Sequence, residues 1–199
     1  MAESLKENEL EAEEKVNLFL IGFETALLRD DLPSATDMLS KAKKVCDTEI
    51  RSGGGKQWNK TMSRVLDRFG ELARLEGISE KAIKSYKESL EVMRSTGDSL
   101  GEAKALNNLG VAYLDRGELN RAMDFFTDSE KILRARTDRK GLSYVHINMG
   151  NIQRIRGEMK KAGSLFERAR LEAESTGAKN LELEAMVKLS ELELESGNR

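Results

Sequence analysis

The feature that most constrains this chain is a repeat of forty residues. Gly70, Gly110 and Gly150 recur at that interval, as do Gly77, Gly117 and Gly157, Ala82, Ala122 and Ala162, and the rings of Tyr86, Phe126 and Phe166. Four series in one register mark a solenoid of stacked helical hairpins, in which each unit buries its apolar face only against its neighbours. Such a scaffold presents a long surface and no prebuilt catalytic pocket, so binding is expected before chemistry.

Composition agrees with an all-α fold. Hydrophobic residues make up 39% of the 199, charged residues 34%, and Pro33 is the one proline. The unbroken repeat predicts a single array over residues 15–199 behind an acidic segment, residues 1–14. Its units fall at about 15–51, 61–100, 101–140 and 141–180, with a closing helix at 181–196. The most apolar run, Val16 to Phe23, is far short of the roughly 20 residues that a membrane span needs. The acidic N-terminus is unlike a signal peptide, so no membrane partner and a cytoplasmic location are expected. A lone Cys46 allows no internal disulfide and no multi-cysteine metal site, and fits a small apolar packing residue.

Net charge is −2 but unevenly placed. Residues 1–30 hold three basic and eight acidic side chains, residues 101–170 fourteen and nine, and residues 171–199 three and seven. The basic middle favours an acidic partner, whereas nucleic acid normally calls for a strong basic excess and is not expected.

The third unit is the clearest. Leu106, Leu109, Gly110 and Tyr113 recur at helical spacing on one side of a helix that ends at Asp115-Arg116-Gly117, where glycine suits a C-cap of positive φ. A second helix, from about Leu119 to Arg136, presents Ala122, Phe126 and Ile132. The first unit fits more loosely through Phe19, Phe23, Ala26, Ala35 and Leu39, and its turn, Arg29 to Pro33, lacks the glycine. Ser52-Gly53-Gly54-Gly55-Lys56 reads as a loop insertion. The half-unit from Leu181 suits a capping helix, with Glu182, Glu184, Lys188, Glu191, Glu193 and Glu195 for its wet face; the rival reading is a piece of a longer repeat array.

These residues carry a resemblance. A leucine, then Leu-Gly, a Tyr three residues on, a Gly turn, then Ala and an aromatic is similar to a tetratricopeptide repeat. The forty-residue length resembles the branch of LGN-type scaffolds and kinesin light chains. The resemblance covers roughly residues 15–197, most clearly 61–180. It implies a right-handed superhelical solenoid of antiparallel helix pairs whose inner groove holds a peptide or extended protein segment. A protein-interaction adaptor or scaffold is the function it implies.

At about 100° per residue, the first helix of each unit turns a second arc away from the stack. In the third unit that arc contains Lys104, Asn107, Asn108 and Val111, in the second Arg64, Asp67, Arg68, Glu71 and Arg74, and in the fourth Tyr144, Ile147, Asn148, Asn151 and Arg154. Asparagine has low helix propensity, and its carboxamide matches the donor and acceptor of a peptide backbone. Asn148-Met149-Gly150-Asn151 reproduces the Asn-x-Gly-Asn phrase of LGN-type repeats, and Asn108-Leu109-Gly110-Val111 keeps its first half. Arg64, Arg68, Lys104 and Arg154 would add positive charge for an acidic peptide. They resemble the two-carboxylate clamp of chaperone-binding repeats without reproducing it, since Asp67 and Glu71 interrupt it.

No catalytic or cofactor signal competes. Gly53-Gly54-Gly55-Lys56 lacks the first glycine, the following Ser or Thr and the strand of a phosphate loop. His146, the only histidine, takes the buried position of Leu106 and suits packing with one hydrogen bond; a lone histidine has no second ligand or nucleophile. We therefore expect no enzyme, no metal and no cofactor. The alternative function is structural self-association. Leu20, Ile21, Leu27 and Leu28 lie opposite Phe19, Phe23 and Ala26, so the first helix is apolar all round, and a homodimer through the first hairpin would cover it.

Overall fold

The computed structural model describes residues 10–197; Met1 to Glu9 of the acidic segment lie outside the described residues. Nine α-helices and no strand occur among the described residues. The chain divides into two compact units, residues 1–101 and 102–199.

The first unit contains α1 (Ala12–Leu28), α2 (Leu32–Arg51), α3 (Lys56–Leu75) and α4 (Ser79–Thr96), each packed on the next. Asp31 starts α2 by accepting a hydrogen bond from the Ser34 N–H at 3.0 Å, and Pro33 lies in the first turn, where no helical N–H is lost. The turn before it has no glycine, and Asp30 supplies the left-handed φ of +57° that Gly77 supplies at +73° in the next hairpin. One part of the core gathers Val16, Phe19, Ala42, Cys46, Trp58 and Val65, and the other Phe23, Ala26, Ala35, Leu39 and Leu72. Cys46 is buried as expected, and burial pushes its thiol pKa up to about 11, so it is inert as a nucleophile.

The second unit takes α5 (Ser99–Asp115) from Glu102 onward, then α6 (Leu119–Ala135), α7 (Arg139–Ile155), α8 (Met159–Ser175) and α9 (Lys179–Gly197). A Cβ on Gly110 would stand 2.5 Å from the Phe126 ring, and one on Gly150 2.5 Å from Phe166. The repeating glycine therefore makes room for the repeating ring of the partner helix. Gly70 and Tyr86 do the same in the first unit. The first hairpin inverts this arrangement: Phe23 stands where Gly70 stands in the next one, and Leu39 where Tyr86 does, and both are buried. Tyr113 stacks on Phe125 at 5.2 Å between centroids. Ile147, placed on the outward arc by sequence, is instead buried with Ala169, Ala173, Leu181 and Ala185.

The closing helix departs from the expectation of a polar outer face. Leu183, Met186, Val187 and Leu194 are exposed on α9, whereas Ser143, His146 and Ile147, forty residues earlier, are buried. The α9 sequence thus continues the pattern of a helix that is normally covered.

Candidate functional site

In the second unit the expected binding residues lie on α5 and α7 and extend to α9. The Asn148 Nδ2 donates to Asn107 Oδ1 at 3.0 Å, tying α7 to α5. The Arg154 Nη1 donates to Glu195 Oε1 at 2.6 Å, tying α7 to α9. Tyr144 and Lys104 are exposed, and Asn108 and Asn151 are half-buried. Two polar atoms on this stripe are buried with no partner: Asn151 Oδ1 and Arg154 Nε. A buried unsatisfied group carries a penalty of about 1–3 kcal/mol, so Asn151 Oδ1 is poised to accept a bond from an incoming polar chain and the Arg154 Nε–H to donate one.

In the first unit the expected cationic stripe is largely neutralised. Arg68 bridges Glu24 at 2.8 Å and Glu71 at 2.6 Å, with its guanidinium 5.9 Å from the Phe23 ring centroid. Arg74 is half-buried and hydrogen-bonds the Tyr86 hydroxyl, whose pKa burial pushes up to about 12. Of the three arginines placed here by sequence, Arg64 alone is exposed, and Arg68 and Arg74 are half-buried. Asp67 is also misplaced by the arc, being buried and accepting from Ser89 Oγ at 2.9 Å.

That contact belongs to a set of buried polar pairs that the repeat pattern did not reveal. Ser63 and Ser89 hydroxyls meet at 2.6 Å; with the Ser89 proton committed to Asp67, Ser63 is the donor. Ser129 donates to the Ala103 carbonyl at 2.7 Å and Ser143 to the Ala169 carbonyl at 2.9 Å. All three pairs are 26 residues apart, so the signal was a second spacing, between small residues at each helix crossing.

His146 makes more than the single bond expected. Its ring is 0% exposed, with Nδ1 2.7 Å from Glu172 Oε2 and Nε2 3.0 Å from Glu130 Oε1. Burial alone would lower its pKa, but the hydrogen bonds and charges of Glu172 and Glu130 outweigh burial and hold it above the usual 6.5. Once protonated, the ring donates from both nitrogens, one to each carboxylate. Glu130 also binds Arg134 at 2.5 Å and has Arg168 at 3.6 Å. With both nitrogens committed, His146 serves neither metal nor proton transfer.

On the first hairpin, Leu20 and Leu27, expected on the face opposite Phe19, Phe23 and Ala26, instead pack partly into the unit's own core. Leu18, Ile21 and Leu28 are the exposed large apolar residues of α1, at 46%, 63% and 90%. Among the described residues no helix is long and apolar enough to cross a membrane.

Residues 61–135 match the family model of the tetratricopeptide repeat. Among curated proteins, none matches the chain in sequence. A signal-transduction ATPase with a tetratricopeptide repeat sensor from Pyrococcus horikoshii aligns with a TM-score of 0.74 at 16% identity, over 94% of this chain and 28% of its own. Aspartyl phosphate phosphatase F from Bacillus subtilis aligns with a TM-score of 0.74 at 14% identity, over 92% of this chain and 45% of its own. Nearly identical tetratricopeptide-like repeats of a proposed kinesin light chain from Podosopora anserina align with a TM-score of 0.69 at 12% identity, over 96% and 91%. The chain spans less than half the length of the first two, and at these identities the likeness is one of fold.

Proposed function

With residues 61–135 those of a tetratricopeptide-repeat protein, we propose that the chain is a protein-interaction scaffold whose second unit binds an extended peptide segment along α5, α7 and α9. The observation that carries this is the unsatisfied pair on α7, Asn151 Oδ1 and Arg154 Nε, beside the carboxamide bridge of Asn107 and Asn148. A peptide backbone offers N–H and C=O groups in alternation, and carboxamides answer both. Tyr144 adds an exposed ring for an apolar contact, and Lys104 a charge that favours acidic side chains. Arg64 contributes the same preference in the first unit. The role is binding rather than catalysis.

The test is a random dodecapeptide display library panned against the whole chain, with selected peptides measured by calorimetry. Replacing Asn148 and Asn151 together by alanine is expected to weaken binding by about 1 kcal/mol or more per residue with the melting curve kept. Selected peptides that bind the double variant with unchanged affinity would sink the assignment to this face.

A second reading, self-association through the first hairpin, is favoured by the exposure of Leu18, Ile21 and Leu28 on one helix. It concerns a different unit and is compatible with peptide binding by the second.

A further inference from the structure

In the first unit, α2, α3 and α4 enclose an open groove of about 480 Å³. Leu66, Phe69 and Leu72 of α3 form its apolar floor, and Phe69 is half-buried, so its ring is available there. Lys43 of α2 and Lys81 and Lys84 of α4 stand around it. Lys43 is paired with Asp47 at 3.2 Å, whereas Lys81 and Lys84 make no hydrogen bond or ion pair among the described residues. Glu76 and Glu88 also line the groove and leave it one net positive charge. A smaller adjoining depression of about 270 Å³ shares Lys43 and Phe69 and adds Lys44, Arg51 and Asp47, raising the combined excess to two.

The second unit shows what closes such a space. Two periods on from Leu66 and Glu88 stand His146 and Arg168, and the position equivalent to Lys43, counted from the turn residues Asp30 and Gly117, is Glu130. Those three side chains, with Glu172, form the ionic cluster described above, and they fill the place between α6, α7 and α8. The first unit has leucine for the histidine and lysine for the glutamate, so no such cluster forms. Its apolar floor is left open beneath unpaired ammonium groups.

We propose that this groove docks a short acidic segment of another protein that carries one large apolar side chain between its carboxylates. The floor removes the apolar group from water while Lys81 and Lys84 meet the carboxylates. The volume lies within the range of sites that enclose a small ligand or a few side chains. Charge complementarity decides the class of partner, because a basic segment would meet the ammonium groups at close range and be repelled. This surface is separate from the α5, α7 and α9 face and does not depend on the function proposed for it.

The test uses a synthetic library of nonapeptides with one central Leu, Phe or Trp and Asp or Glu at half of the remaining positions, read by fluorescence anisotropy against the whole chain. The strongest binder should lose about tenfold or more in affinity on Lys81→Glu/Lys84→Glu and none on Asn148→Ala/Asn151→Ala. Both lysines are exposed, so the folding of that variant is checked by circular dichroism and expected to be unchanged. Amide shifts in a labelled sample should move around Phe69, Lys81 and Lys84. Failure of every peptide to bind tighter than about 1 mM overturns the proposal. So does a best binder indifferent to the charge reversal, as does co-sedimentation with phosphatidylserine vesicles that the charge reversal abolishes while no peptide binds.

Discussion

Raising the pH should loosen the second unit through His146. The folded pKa of this ring lies above 6.5, so the stability it contributes is fully present below about pH 6.5 and is lost as pH rises through the folded pKa. Glu130 shifts the other way: burial raises its pKa, but the hydrogen bonds to His146 and Arg134 lower it more, to a net value below 4.5. Its contribution is present above about pH 4.5 and lost as the pH falls, so the cluster is strongest between about pH 4.5 and 6.5. Neutral imidazole keeps one N–H, so deprotonation leaves either Glu172 or Glu130 facing a lone pair in a closed site. Losing the donor to a buried carboxylate costs about 1–3 kcal/mol.

The assay is urea unfolding followed by circular dichroism at pH 6 and pH 8.5, with Trp58 fluorescence as an internal control. Trp58 is the only tryptophan and lies in the core of the first unit, so it should report no His146-linked change. The dichroism midpoint of the wild type is expected to fall at the higher pH. His146→Leu alone should destabilise even at pH 6, because Glu172 is then stranded. His146→Leu/Glu172→Ile, which installs the residues found at 106 and 132, should recover most of that loss and abolish the pH dependence. A wild-type midpoint that does not fall between pH 6 and 8.5, or a double variant with the wild-type slope, would refute the charged-histidine account.

Gly110→Ala should destabilise by about 1–3 kcal/mol in urea unfolding, since the added methyl meets the Phe126 ring at 2.5 Å; a neutral outcome would mean that the ring shifts freely. Thr137 holds a φ of +56°, where Gly97 and Gly177 stand one period away on either side, so Thr137→Gly should raise stability by about 1 kcal/mol; a loss of stability would show that the strain account is wrong. If the first hairpin self-associates, Ile21→Glu/Leu28→Glu should give a folded monomer in sedimentation velocity, and a wild type already monomeric at high micromolar concentration removes that reading.

The repeat was legible because its markers are residue-specific requirements. Gly110 and Gly150 are demanded by the rings beside them, and the turn at Gly117 demands a positive φ. The first hairpin was harder to read because it meets both demands differently, with Asp30 at the turn and the bulk moved from the second helix to Phe23 of the first. Boundaries slipped at α3, which begins at Lys56 rather than near 61 and brings Trp58 into the core. The binding face was legible as a set of positions and not as a set of bonds. Arg68 and Arg74 lie near the expected stripe but are spent on Glu24 and Tyr86, contacts that cross between helices, and Arg68 also on Glu71 one turn along its own helix.

The histidine shows what a fuller reading needs. In an antiparallel hairpin, moving toward the base along one helix moves toward the base along the other, so one known contact narrows the partners of the residues near it. Gly150 against Phe166 sets the register of α7 on α8. Four residues back from Gly150 lies His146 and six on from Phe166 lies Glu172, and the two meet at a separation of 26 residues in sequence. Ser143 and Ala169, and in the first unit Ser63 and Ser89, keep that same separation. Treating His146 as alone because it is the single histidine overlooked a carboxylate that the repeat had already placed opposite it. The same logic marks the groove of the first unit, where Leu66 and Lys43 stand at the positions of His146 and Glu130 and cannot make the cluster that closes the second.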